Sequence, residues 1–127
     1  LVIKGDFTER GGYQAAARLL SLENPPTAIV ASNNFMTIGV IRYAMANGVK
    51  MPNDLSLISF DDMEWFDIVS PGITAIRQPV DDLGALISDL VIDAPGGDRG
   101  VAYVLPTTMT IRESTGSPRR LTAVQHG

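Results

Sequence analysis

Apolar and polar positions alternate between two periods along this chain, and the switch between them predicts its elements. Leu1 to Gly5 reads as a short strand. Thr8 then caps a helix running to about Leu22, with Tyr13, Ala16, Ala17 and Leu20 on one face. Gly11-Gly12 in its first turns weakens that helix, which points to a close packing contact there. Asn24-Pro25-Pro26 stops it, and Thr27 to Ala31 forms a second strand. Ser32-Asn33-Asn34 caps a helix over 35–47 that ends at Asn47-Gly48. At about 100° per residue, Met36, Val40 and Tyr43 fall on one side, opposite Ile38, Ile41 and Met45, so this helix needs cover on both sides. Leu55 to Phe60 is apolar at 55, 57, 58 and 60, the pattern of a strand buried on both faces, and it ends in Asp61-Asp62.

The second half continues in the same manner. A loop with Trp65 and Phe66 leads to Ser70-Pro71-Gly72 and a strand from Ile73 to Arg77. Pro79 opens a helix to about Ile92 with Leu83, Leu86, Ile87 and Leu90 inward. After a loop over 94–98, Val101 to Leu105 and Thr108 to Arg112 read as strands broken by Pro106, and a loose polar tail follows from about Glu113. Strands alternating with helices specify an α/β fold, a doubly wound parallel sheet with flanking helices and right-handed crossovers.

The 127 residues suit one domain, with 45% hydrophobic and 19% charged residues. The net charge of −4 argues against a nucleic-acid surface within this stretch. There is no cysteine, hence no disulfide or thiolate chemistry, and no apolar run approaches the roughly 18 residues of a membrane span. The single His126 lies in the tail, which disfavours a Ser/His/Asp triad. No glycine-rich phosphate loop follows a strand, so a magnesium-dependent phosphotransfer enzyme is the weaker reading of the paired acids. No metal or cofactor is expected. The acids at 54, 61, 62, 64 and 67 read as a solvated rim. The chain starts at Leu1, in what reads as mid-strand, and is expected to be a fragment.

Open α/β sheets bind ligands at the carboxyl ends of their strands. Phe7, Asn33, Asp61 and Gln78 each follow one of the first four strands, so they are the candidate ligand-binding residues. An aromatic face, two amides and a carboxylate suit a small polyhydroxylated molecule, with the ring against its apolar side. A carboxylate accepting from neighbouring hydroxyls also rejects analogues that lack them. Each residue also has a plainer reading: one acid of the pair as a loop cap, one asparagine as a helix cap, Phe7 as core, Gln78 as a loop contact. Asp61 is the preferred ligand of the two acids.

The same residues resemble the carboxyl-terminal part of LacI/GalR-type bacterial transcriptional regulators. The matching stretches are Gly5-Asp6-Phe7 with Gly12-Tyr13-Gln14-Ala15-Ala16, then Pro26 to Gly39, Val49 to Asp62, Ser70 to Thr74 with Arg77-Gln78-Pro79, Leu105-Pro106 and Arg112 to Thr115. The resemblance covers about residues 1–115. It implies a lobe of a periplasmic-binding-protein-like type I fold over 1–113, followed by a flexible tail over 114–127, with 79–105 belonging to the other lobe of the complete domain. It implies that Phe7, Asn33, Asp61 and Gln78 line a cleft for a sugar-like effector. It further implies a homodimer using Ile38, Ile41 and Met45, DNA contact only through a helix-turn-helix outside this stretch, and a cytoplasmic location. A secreted sugar-binding protein of a transport system shares the fold and is the alternative. Asn34, Ser59 and Met63-Glu64-Trp65 depart from the usual pattern, which has Asp, Gly and a different loop there, and this bears on ligand identity.

Overall fold

A computed structural model describes residues 1–93 and 102–118. The expected loop over 94–98, the start of the strand at Val101, the basic pair Arg119-Arg120 and His126 lie outside the described residues. The elements run in the order α1 (Glu9–Leu20), β1 (Ala28–Ala31), α2 (Asn34–Ala46), β2 (Ser56–Phe60), a 3-10 helix (Glu64–Asp67), β3 (Thr74–Arg77), α3 (Val80–Asp93) and β4 (Thr108–Thr110). The strands form one sheet in that order. β1, β2 and β3 are parallel and β4 is antiparallel to β3, so the fold is the expected α/β class with a mostly parallel sheet.

Parallel pairing puts the carboxyl ends of β1, β2 and β3 on one edge, and the register sorts the side chains by face. Ile29 pairs with Leu57 and Ala31 with Ser59, and these face the helices. They pack with Ala16, Met36, Val40 and Leu55 into the main core. Beside it, Phe66 of the 3-10 helix packs on Ile73 and Ala75, and Ile41 bridges the two clusters. The opposite sheet face is more open. Val30 is 63% exposed and Ile58 and Phe60 are half-buried, so β2 is fully covered on one face only.

α1 packs on the side of α2 that carries Met36, Gly39 and Tyr43. A Cβ at Gly12 would run into the main chain of Met36, and one at Gly39 into the main chain of Glu9 and Tyr13, so the two backbones meet where neither residue carries a side chain. That contact accounts for a glycine in the first turns of α1. Tyr13 and Tyr43 extend it edge to face at 5.3 Å.

Four expectations differ from the structure. Residues 1–5 form no strand, because they pair with no neighbour and Leu1 and Val2 stay exposed. Residues 102–107 form none either; Pro106 supplies no N–H, and Tyr103 and Val104 are exposed. Leu83, Ile87 and Leu90 of α3 do not enter a core. With Leu86 they line a groove against Tyr103 and Leu105, and Leu83, Ile87 and Leu90 are exposed. Ser114 to Gly116, expected in the loose tail, are bonded to the strands. Ser114 is fully buried, its Oγ donating to the Leu57 carbonyl at 2.6 Å and accepting from the Thr74 amide at 2.8 Å. It is a rung between β2 and β3.

Candidate functional site

Asp61 extends the ladder of β2 by one residue, its amide donating to the Ile76 carbonyl at 3.0 Å. Its backbone then turns into the left-handed region at φ 76°, which is sparsely populated by residues other than glycine. The Ser59 hydroxyl donates to the Asp61 carbonyl at 3.2 Å. This geometry sends the Asp61 carboxylate to the side-chain amide of Gln78, which follows β3. Both line a cleft of about 460 Å³ together with Asn34, Met63 and Arg77, with Asp81 and Asp82 of α3 on its wall.

Asp62 lines the same cleft, and its carboxylate is held by other partners. Asp62 accepts from Arg112 Nη1 at 2.8 Å and Nη2 at 3.2 Å, and from the Thr110 hydroxyl at 3.2 Å. Both side chains of the ion pair are about nine-tenths covered, at 9% and 11% exposure. Burial alone would raise the Asp62 carboxyl. The bonds and charge of Arg112, helped by Thr110 and Arg77, outweigh it and hold the group below its ordinary range. The bond to Asp62 likewise holds the Arg112 guanidinium above its ordinary value, against burial. Arg112 also donates to the Ile73 carbonyl and to Asp67.

Phe7 and Asn33 form a second pair. Asp6 and Phe7 both have positive φ, and the Phe7 ring is 68% exposed at the end of this turn. Asn33 is the N-cap of α2, its Oδ1 accepting from the Met36 amide at 2.9 Å while its Nδ2 donates to the Phe7 carbonyl at 3.0 Å. The structure therefore joins Asp61 to Gln78 and Asn33 to Phe7. It puts Asn34, rather than Asn33, on the wall of the Asp61 cleft, since the cap absorbs both polar atoms of Asn33. Arg77, Asp81 and Asp82 were not singled out from the sequence; their position just past β3 and at the start of α3 was the available signal.

On α2, Ile38 and Ile41 are half-buried, and Met45 is 78% exposed. Ile41 and Met45 share an apolar groove with Val69, Pro71 and Ile73. Trp65 packs edge-on against Phe66 at 4.5 Å. Among the described residues no group of three or more His, Cys, Asp or Glu is placed to hold a metal ion, and no helix is long and apolar enough to cross a membrane.

Comparison with known proteins gives this geometry its context. The profile of a periplasmic binding protein-like domain matches residues 1–115. Catabolite control protein A of Priestia megaterium is 37% identical over 117 residues, which are 90% of this chain and 35% of that protein. A LacI family transcriptional regulator from Enterococcus faecalis V583, solved with bound ribose, superposes with a TM-score of 0.79 at 33% identity, covering 93% of this chain and 44% of that one. The dimeric Lac repressor with an 11-residue C-terminal deletion gives 0.76 at 27% identity, covering 91% and 43%. The chain thus spans only 25–35% of the length of the curated relatives first matched. It belongs to the periplasmic binding protein-like domain family, and the relatives it matches are LacI-type transcriptional regulators and repressors.

Proposed function

We propose that this chain is the effector-sensing and dimer-forming part of a cytoplasmic LacI-type transcriptional regulator. Its effector is an uncharged sugar or related polyol. The observation that carries the reading is the Asp61 carboxylate, held against Gln78 at the carboxyl edge of the sheet and lining an open cleft. A carboxylate and an amide side by side offer acceptors and donors to adjacent hydroxyls, and the exposed Phe7 ring offers an apolar face. The ribose in the Enterococcus faecalis relative supports a sugar of this kind. The relatives' names as transcriptional regulators favour this role over a transport protein and over catalysis.

In this reading residues 79–105 belong to the facing lobe, which accords with the outward apolar side of α3. Dimerisation uses Ile38, Ile41 and Met45, and DNA is contacted by a helix-turn-helix elsewhere in the complete protein. The effector acts by population shift, binding one arrangement of the two lobes better than the other. Calorimetric titration of the full-length protein with ribose and a panel of uncharged pentoses, hexoses and nucleosides tests this. Saturable binding of one molecule per subunit is expected. No heat from any member of the panel contradicts it.

A further inference from the structure

We infer that Arg112 is a positioning residue for the effector-binding carboxylate, acting on Asp61 through Asp62. The inference rests on the reading of Asp61 given above. Asp61 adopts an unfavourable left-handed backbone, and such a conformation persists only where the surroundings over-determine it. Within Asp61 the constraint is the Ile76 ladder bond on its amide and the Ser59 hydroxyl on its carbonyl. On its carboxyl side it is the side chain of Asp62, gripped by the two-pronged guanidinium of Arg112 and by Thr110. Arg112 is itself fixed by the Ile73 carbonyl and by Asp67 at the end of the 3-10 helix. The two successive carboxylates therefore take different partners. Asp62, which also lines the cleft, is held by Arg112, and Asp61 is left to Gln78.

Arg112 does not line that cleft, and it lies 50 positions from Asp62 in the chain. Its grip needs the planar fork, since a lysine ammonium makes a point contact and cannot hold both carboxylate oxygens and the Ile73 carbonyl together. Without the fork Asp62 is released, the turn relaxes, and the Asp61 carboxylate leaves Gln78.

The test uses the full-length protein with aspartate-selective isotope labelling. Two readouts follow Arg112→Met, with Arg112→Lys as the milder variant should the first not fold. The first is the backbone chemical shifts of Asp61, which report its left-handed conformation and are expected to move toward ordinary extended values. The second is ribose affinity in two backgrounds. A loss of about tenfold, the scale of one hydrogen bond to a charged group, is expected where Asp61 is intact. Less than a twofold loss is expected where Asp61→Asn is already present. An unchanged Asp61 signal, or equal affinity losses in the two backgrounds, overturns the positioning role. Absence of ribose binding by the unaltered protein counts against the sugar reading of the cleft instead, and the Asp61 shifts then decide the role of Arg112.

Discussion

The hydroxyls of Thr37 and Ser59 meet at 2.7 Å in a fully buried contact between α2 and β2. The Thr37 hydroxyl also donates to the Asn33 carbonyl at 2.9 Å, so it keeps a partner if Ser59 is lost. Ser59→Ala loses this contact and the bond to the Asp61 carbonyl, and is expected to cost about 1–2 kcal/mol, the net worth of one to two hydrogen bonds. Urea denaturation checks this through a lowered midpoint at unchanged slope.

The α1–α2 contact makes a sharper prediction. Gly39→Ala forces a methyl group into the main chain of Glu9 and Tyr13 and is expected to destabilise by about 1–3 kcal/mol through overpacking. Gly84 lies inside α3 with open space where its Cβ would sit, so Gly84→Ala is expected to stabilise by up to about 1 kcal/mol from helix propensity. Thermal melts of the two variants should shift in opposite directions.

These contacts show how much of the molecule was legible in the sequence. Thr8 and the 32–34 triplet announced the helix starts, and the apolar run before Asp61 announced a strand ending at a polar edge. Local patterns of this kind are set by neighbours in the chain. The runs at 1–5 and 102–105 misled because strand formation needs a partner that no local pattern supplies. The burial of Ser114 and the grip of Arg112 on Asp62 escaped for the same reason, since each joins residues 40 or more positions apart. Asn33 and Asn34 are equally good caps on paper. Only the turn of α2 decides which one caps and which one faces Asp61.

Acid sensitivity follows from the Asp62–Arg112 pair. The folded-state pKa of Asp62 is depressed, so the folded protein binds fewer protons than the unfolded chain as pH approaches the ordinary carboxylate value of about 4. The pair's contribution is thus fully present above that value and is lost as pH falls through the lower folded pKa. Asp62→Asn should be less stable than the native protein at neutral pH, with the difference shrinking in acid. Denaturation midpoints measured between neutral pH and about pH 3 check the sign.

Ser114→Ala removes one hydroxyl with two buried partners, the Leu57 carbonyl and the Thr74 amide. Both are left unpaired, and a loss of about 2–4 kcal/mol is expected, larger than for Ser59→Ala. Hydrogen exchange should then accelerate at Thr74.

The account depends most on Asp61, and Asp61→Asn is the substitution that isolates its charge. Asparagine tolerates the left-handed backbone at φ 76°, so the turn and the fold are preserved while the anionic acceptor is lost. The measurement is calorimetric titration of the full-length native and Asp61→Asn proteins with the sugar that the native protein binds. The account predicts at least a tenfold weaker affinity at an unchanged melting temperature, as expected for losing charge-assisted hydrogen bonds. Equal affinity in the two proteins would contradict it.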